Sequence, residues 1–440
     1  MKSKLLPILL FPFLLPQISG AQKVYSLNDC ISTGLERNFS ILISRNNQTI
    51  AKNNFTPGNA GFLPAIDLNG NESGRLINTT TNMNDGTRTV TNGQYTNTIS
   101  GGASLGLTLF NGLSVQTTYK KLDELKQIGE LNTQLAIENL LSDIISSYYN
   151  YIQQIQLQIN LQYAVDLSRE RLRIDEDRYL LGSNSKLQVL QSRVYLNADS
   201  TNLSQQVQVV RAAQVRLNQL MSVEDLAQKF VTKDSSVVVD NTLLYEKLLE
   251  ETLNRNTSLL IAAKNRTVSK YDYKLTASRS YPFFNLSSGY NYNLNSYSSG
   301  STKNQINDGL NFGVTAGINI FDGFNQRRNI RNSALNIKNN ELQYQQTAQG
   351  VKADLITLFS AYSTFLRLIT LEEQNLQTAT ENLDIGMERY KLGNLSGLDL
   401  RDVQKSLLDA RESLLSVQYQ AKLAEISLRL IAGRIMEYYR

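Results

Sequence analysis

The chain has 440 residues with no His, no Trp and a single Cys, so it has no imidazole for triad catalysis or common zinc sites, and no disulfide framework. Its formal charge of +5 is too small to indicate a nucleic-acid partner, and only 6 Pro favour long helices over a loop-rich fold. Phosphate-binding loops and metal-ligand clusters are missing from the sequence as well. We therefore expect no cofactor, no resident metal and no enzymatic activity.

The first 21 residues have the pattern of an export signal. Lys2 and Lys4 precede an apolar run of about 14 residues, and the small residues 19–21 follow it. A transmembrane anchor is the alternative, but the run is short for a bilayer and is interrupted by Pro. The sequence predicts a signal peptide over residues 1–21, cleaved after Ala21.

The chain after the signal has no uninterrupted apolar stretch of 18 residues. If it crosses a membrane, it must therefore do so as β-strands. Cys30 lacks the small-residue box of a bacterial lipoprotein, so we interpret it as an ordinary residue of a first helix.

Two halves of the chain repeat one pattern at an interval of about 210 residues, which is too long for a solenoid and indicates two structural halves. The interval shortens by about seven residues within the Asn/Thr/Gly-rich stretch 77–98, which predicts a longer loop in the first half. The matching anchors are Pro64 with Pro282, Gly112 with Gly323, and Gly182 with Gly393.

Between the Pro anchor and the Phe-Asn/Asp-Gly anchor of each half, apolar and polar residues alternate with a period of two. The predicted strand pairs cover about 63–110 and 281–321. One face is apolar and the other is rich in Asn, Ser, Thr and Gly, as a membrane barrel around water requires. A half-buried soluble sheet would show the same alternation.

After each Phe-Asn/Asp-Gly anchor, the apolar spacing becomes heptad-like, which is typical of coiled-coil helices. Residues 113–181 and 324–392 contain no Pro, so each stretch predicts one continuous helix of about 100 Å. Gly182 and Gly393 end these helices, and shorter helices return over 184–220 and 396–433.

Two long helices, two return helices and two strand pairs, all duplicated, resemble the TolC-like outer-membrane efflux proteins. The resemblance covers nearly the whole mature chain, and it rests on the order and matched spacing of the anchors together with the hairpin tips at 178–185 and 389–396. It implies a mainly α fold with a transmembrane β-barrel: a trimer in which each subunit gives four strands to one barrel in the bacterial outer membrane. Long coiled-coil helices would continue the barrel as a tunnel in the periplasm.

This resemblance also implies the division of the chain. The signal peptide is followed by a first repeat over 22–220, an equatorial belt over 221–256, a second repeat over 257–433 and a short tail over 434–440. Each repeat opens with a helix before its strand pair. In the belt, residues 237–239 are three consecutive Val and predict a strand.

In the family, an aromatic residue before the second tip glycine and acidic residues after the turn constrict the periplasmic mouth. The matching positions are Tyr390, Asp399 and Asp402. Asp399 and Asp402 share a helix face, so a trimer would hold two rings of carboxylates; in isolation they could equally be charges on a solvated face. The family's basic position is Leu395 and its acidic partner in the first hairpin is Gln188, so we expect no charged lock between the hairpins.

The resemblance further implies a homotrimer that contacts outer-membrane lipid, a periplasmic adaptor (membrane fusion) protein and, through the adaptor, an inner-membrane transporter. The chain would be a passive exit duct, and small molecules are the favoured cargo. The residues expected to dock the adaptor are Arg178, Tyr179, Gly182 and Ser185 in the first tip, and Arg389, Gly393 and Ser396 in the second.

Three other functions fit parts of the pattern. A trimeric coiled-coil stalk or adhesin anchored in the outer membrane would share the export signal and the heptads, but it does not explain two tip motifs at matched spacing. An uptake porin would not need about 100 Å of periplasmic helix. A type I protein-secretion duct has the same architecture and remains open.

Overall fold

The computed structural model describes residues 23–300 and 302–439. The predicted signal peptide over 1–21, with Lys2, Lys4 and the cleavage site after Ala21, lies outside the described residues. The described chain is mainly helical, with one four-stranded sheet and one two-stranded sheet.

The first half runs from a short strand through the long helical hairpin. Its elements are β1 (Lys23–Tyr25), α1 (Leu27–Arg37), α2 (Phe39–Asn54), α3 (Pro57–Ala60), β2 (Ala65–Asn82), β3 (Arg88–Asn111), α4 (Ser114–Leu180) and α5 (Lys186–Met221).

The second half repeats this order after a connecting strand. Its elements are β4 (Phe230–Thr232), α6 (Tyr245–Arg255), α7 (Thr257–Ser278), β5 (Phe283–Tyr297), β6 (Asn304–Gly317), α8 (Asn325–Lys391), α9 (Gly397–Ile431) and a 3-10 helix (Ile435–Tyr439).

The long helices α4 and α8 have 67 residues each, close to the predicted bounds. Each begins directly after a Gly and a second residue with positive φ, Leu113 at 65° and Phe324 at 64°. This sharp change of direction turns the chain from strand to helix in the same way in both halves. Sequence anchors and backbone geometry therefore coincide.

The four-stranded sheet is antiparallel in the order β2-β3-β5-β6. Ala65 pairs with Gly106 in the first hairpin, and Phe283 pairs with Gly317 in the second. β2 and β6 form the two edges of the sheet, and every residue of β2 is exposed. Among the described residues, the sheet thus presents two backbone edges that no strand of the same chain pairs.

Two predictions about the strand pairs were wrong. The expected loop at 77–98 is mostly strand, since β2 and β3 leave only residues 83–87 between them. Its Thr and Val residues, which are β-branched, favour the paired strand over the loop suggested by Asn and Gly. In the second half, the alternating pattern continues past Gly317, but β6 ends there.

The belt prediction also needs correction. Residues 237–239 do not form a strand; Val237 and Val239 instead pack against two different helical clusters. The belt strand is β4, which pairs in parallel with β1. Pairing between distant short segments leaves little periodic signal in the sequence, so a run of Val was the stronger but misleading pattern.

The largest buried cluster joins α1, α4, α5, β4 and α9 near the middle of the long helices. Cys30 lies in it, fully buried within α1, as an ordinary core residue. A second cluster joins the corresponding part of α8 to α6 and α9. These clusters fix the hairpins at mid-length and leave the sheet at one end and the turns at the other.

The tail is part of this body. Glu425 is buried in α9, accepts a hydrogen bond from the Tyr438 hydroxyl at 2.6 Å, and pairs with Lys422 at 2.9 Å. Arg429 bridges Glu425 to Asp240 in the belt. Because each buried charge has a partner, this cluster joins tail, belt and α9 without an isolated charge.

Among the described residues, one helix, α8, contains a stretch long and apolar enough to cross a membrane by length and composition alone, which corrects the expectation that no such stretch follows the signal. The same helix places Leu355 and Tyr362 in the second buried cluster, and the Tyr362 hydroxyl donates to the Asp240 carbonyl. Part of its apolar surface therefore serves packing between helices.

Candidate functional site

The two helical hairpins end in turns of the same design, the first tip at residues 178–185 and the second at 389–396. Gly182 has φ +75° and Gly393 has φ +85°, a region that favours Gly because it lacks Cβ. In each tip, the N–H after the Gly donates to the carbonyl of the Arg four residues before that Gly, at 2.9 Å. This 6→1 bond ends α4 and α8 and reverses the chain.

The ends of both tips are exposed and partly apolar. Ser185 and Ser396 cap the return helices α5 and α9, while both glycines and Arg389 are exposed. Tyr179 is 45% exposed. The large apolar side chains exposed around the two turns are Leu180, Leu181, Leu187, Leu392 and Leu398.

Tyr390 behaves differently from Tyr179, although both precede a tip glycine by three residues. Its side chain is buried, and its hydroxyl donates to the carboxylate of Asp175 on α4. Arg178, expected to dock the adaptor, instead donates to the Tyr390 carbonyl and lies 5.0 Å from the ring centroid. Tyr390 is thus held from both sides by the first hairpin.

Burial raises the pKa of Tyr390, and the hydrogen bond to Asp175 raises it further, to about 12. The phenol therefore keeps its proton at neutral pH and continues to donate to the carboxylate.

Asp175 is the centre of this contact, and sequence reasoning did not identify it. It is buried, accepts from Asn184 Nδ2 at 3.0 Å and from the Ser192 hydroxyl, and lies 3.8 Å from Arg171 Nε. The carboxylate thus accepts hydrogen bonds from the first tip, α5 and α8, and forms an ion pair with Arg171 on α4. A buried charge with this many partners makes the contact specific and costly to break.

A second link joins the return helices. Arg401 on α9 makes two parallel hydrogen bonds to Asp199 on α5, at 2.7 and 2.8 Å, and Asp199 also accepts from the Ser168 hydroxyl. The Arg401 and Asp199 side chains are 20% and 4% exposed, so salt screens this pair only weakly.

The expectation of no charged lock between the hairpins was therefore wrong. It was based on Gln188 and Leu395, whereas the ionic link is formed by Arg401 and Asp199. Gln188 caps α5 through a bond from the Ser185 N–H at 3.2 Å, and Leu395 packs beside Tyr390 in an apolar cluster.

The predicted acidic residues lie at the start of α9. Asp399 is exposed, and its Oδ2 accepts from the Ser396 hydroxyl at 2.7 Å. Asp402 is also exposed, one turn further along, and its side chain makes no ion pair among the described residues. The structure places both on one helix near the tip but apart from the Tyr390 contact.

One sequence signal could have revealed the missed residues. At corresponding places in the two halves, Asp175 matches Gly386 and Asp199 matches Ala410. A charged residue in one half opposite a small residue in the other marks a site where the halves play different roles.

Comparisons with known proteins show the family and the fold of the chain. The family model described as "Outer membrane efflux protein" matches residues 30–223 and 248–434. Outer membrane protein TolC of Vibrio cholerae is 24% identical over 201 residues, a match that covers 44% of this chain and 44% of that protein. The match therefore spans less than half the length of that relative.

Two solved structures share the fold over nearly the whole chain. The outer membrane protein VceC of Vibrio cholerae has a TM-score of 0.74 at 17% identity, covering 92% of this chain and 96% of that one. The CmeC outer membrane channel of Campylobacter jejuni has a TM-score of 0.73 at 17% identity, covering 93% and 85%. These likenesses confirm the mainly helical TolC-like fold.

The bond from Tyr390 to Asp175 gives a test with a matched control. Tyr390→Phe removes one donor from a buried carboxylate and should cost about 1–3 kcal/mol locally. We expect faster amide hydrogen exchange in the second tip, measured by mass spectrometry. Tyr179→Phe removes the corresponding exposed hydroxyl and should leave exchange unchanged; equal effects of the two variants would contradict the assigned contact.

Proposed function

The chain belongs to the outer membrane efflux protein family, and from this premise we propose that it is the outer-membrane exit duct of a tripartite efflux system. It passively conducts substrates, small molecules above all, from a periplasmic adaptor and an inner-membrane transporter to the outside, and it catalyses no reaction. The observation that carries this proposal is a four-stranded sheet, open at both edges, joined to helices of about 100 Å.

The family is one of the bacterial outer membrane, as the sequence predicted. In that membrane the two edges of the sheet cannot remain unpaired. Unpaired N–H and C=O groups along β2 and β6 would each cost several kcal/mol in hydrocarbon. Three copies of the sheet supply twelve strands and can close into one barrel with room for water.

The pattern of exposed side chains supports the proposal that one face of this barrel contacts lipid. In β6, Leu310 is 69% exposed, Phe312 81% and Val314 63%, and they alternate with Asn311 and Gly313. Lipid would cover the apolar face, while the polar face would line an aqueous lumen.

The matched registers of the two hairpins and the equal lengths of α4 and α8 support an internal tandem duplication. With two hairpins in each subunit, a trimer acquires approximate sixfold symmetry. Six helical hairpins would then surround one tunnel that continues the barrel.

The tips form the gate of this tunnel. Contacts of Tyr390 with Asp175 and of Arg401 with Asp199 hold the second hairpin against the first, which keeps the mouth narrow. Asp399 would contribute three carboxylates to a ring at this mouth, since it is exposed on α9 and the trimer repeats it.

The adaptor would dock at the ends of the tips. Gly182 and Gly393 are exposed there, surrounded by exposed Leu side chains that offer apolar area to helical hairpins of a partner. Energy for export must come from the inner-membrane transporter, because no phosphate-binding loop is present in the sequence.

The proposed acidic rings predict a conductance that is selective for cations. Asp399 and Asp402 repeated in a narrow throat focus negative potential, so trimers in a planar bilayer should select cations and be blocked by a trivalent cation on the periplasmic side. The double variant Asp399→Ala with Asp402→Ala should raise the half-blocking concentration by about tenfold or more.

The matched control removes the same charge from the belt, through Glu246→Ala with Glu250→Ala, both exposed on α6. Block should be unchanged there. If the Asp399 and Asp402 variant is blocked as tightly as the control, these residues do not line the constriction.

The docking role of the tip glycines can be tested in cells. Gly182→Leu with Gly393→Leu places a branched side chain at a positive φ and should abolish efflux, measured as drug sensitivity, while the protein still inserts as a trimer. Gly86→Leu, at an open position of positive φ in the turn between β2 and β3, is the control for bulk and backbone strain away from the tips. Wild-type drug resistance of the tip variant would contradict docking at these turns.

A further inference from the structure

The outer edges of the sheet carry a specific pairing register for a second copy of this chain. We propose that β6 pairs antiparallel with β2 of the next copy, with Val314 opposite Glu72 and Leu310 opposite Leu76. The inference rests on the proposed shared duct and adds to it the residues that meet at the seam between copies.

The first step is that both hairpins have the same register. Ala65 follows the first anchor Pro and pairs with Gly106, while Phe283 follows the second anchor Pro and pairs with Gly317. Gly106 and Gly317 each lie four residues before the Phe of a Phe-Asn/Asp-Gly anchor. Residues that correspond in sequence therefore correspond in strand pairing.

The second step is that the chain already contains one seam between hairpins, β3 with β5. There Ala103 pairs with Tyr290, and Ile99 pairs with Leu294. The counterpart of β3 is β6, and the counterpart of β5 is β2. The corresponding residues are Val314 for Ala103, Glu72 for Tyr290, Leu310 for Ile99 and Leu76 for Leu294.

This register keeps residues of the same face together across the seam. Residues directly opposite one another point to the same side of a sheet. Leu310 would thus lie beside Leu76 on the face that meets lipid, and Val314 beside Glu72, whose carboxylate accepts a hydrogen bond from Asn97 Nδ2 at 3.0 Å. A slip by one residue would place Leu310 opposite Arg75 or Ile77, which point to the other face of the sheet.

Glycine positions support the same alignment. A Cβ on Gly102 would lie 2.6 Å from the Tyr290 carbonyl oxygen, so the backbone of β5 approaches this Gly closely. A Cβ on its counterpart Gly313 would have one neighbour within 4 Å, the Ser287 hydroxyl oxygen at 3.9 Å. A glycine on an open edge is explained if the backbone of β2 from the next copy, near Glu72, approaches it as closely.

The helices show the same complementary edges. Ile145 on α4 is fully buried in a cluster that includes Ile426 of α9. The counterpart of Ile145, Ile356 on α8, is 55% exposed, and the counterpart of Ile426 is the partly exposed Val215 on α5. In the assembled ring, α5 of the next copy would cover Ile356 as α9 covers Ile145.

Paired cysteines test the register. Val314→Cys with Glu72→Cys in one chain should form disulfides between copies on mild oxidation, giving a covalent ladder up to trimer on a non-reducing gel. Leu310→Cys with Leu76→Cys is a second predicted pair, in case the first variant does not fold. The unsubstituted chain is the blank, because its Cys30 is buried.

Slipped controls keep Val314→Cys and move its partner by two residues on the same face, to Gly70→Cys or Gly74→Cys. The predicted pairs should cross-link at least about tenfold faster than the slipped pairs. Faster linkage of a slipped pair, or no linkage at any strand pair, would overturn the register.

Cross-linking between helices distinguishes a wrong strand register from a wrong assignment of the shared duct. Ile356→Cys with Val215→Cys, joined by a short bis-maleimide, should also give covalent trimers. Trimers from this arm with no linkage between the predicted strand pairs would overturn the register but leave the duct. Monomers in every arm would overturn both proposals.

Discussion

The open backbone edges of β2 and β6 are the constraint on which the rest of the molecule depends. A soluble protein can leave such edges in water, but hydrocarbon offers no donors or acceptors to replace the missing partners. In the proposed duct, one chain supplies too few strands to close a barrel, so the sheet itself requires assembly before any side-chain contact is considered. The same assembly would bring the helices of the copies together, because each strand hairpin of the sheet continues into one helical hairpin.

Repetition builds the scaffold, and departures from repetition build the contacts between its tips. Both halves share strand register, helix length and tip geometry, yet the contacts between their tips are unequal. The first half supplies Asp175 and Asp199, while the second supplies Tyr390 and Arg401. Two equivalent hairpins would have no such complementary pair. Divergence at a few positions has therefore given the tips directed hydrogen bonds without altering the scaffold.

Much of the fold could be predicted from the sequence because its signals are long and periodic. Heptads over 67 residues, bounded by Gly, located α4 and α8 almost to the residue. Short or mixed signals failed: residues 77–98 proved to be mostly strand, and the Val run at 237–239 did not pair. Of the residues in the contact between the tips, Tyr390 and Arg178 were named from the family resemblance, each for a different role. Asp175 and Arg401 were missed because their partners lie in the other hairpin, and sequence spacing within one helix cannot reveal a contact between distant segments.

The most direct test of the central claim is the mass of the native particle extracted in mild detergent. If unpaired strand edges cannot persist in lipid, the protein should be a trimer, with three times the mass of the mature chain and no monomer in exchange with it. A stable, correctly inserted monomer would contradict the account, because its four strands would then span the membrane with both edges unpaired.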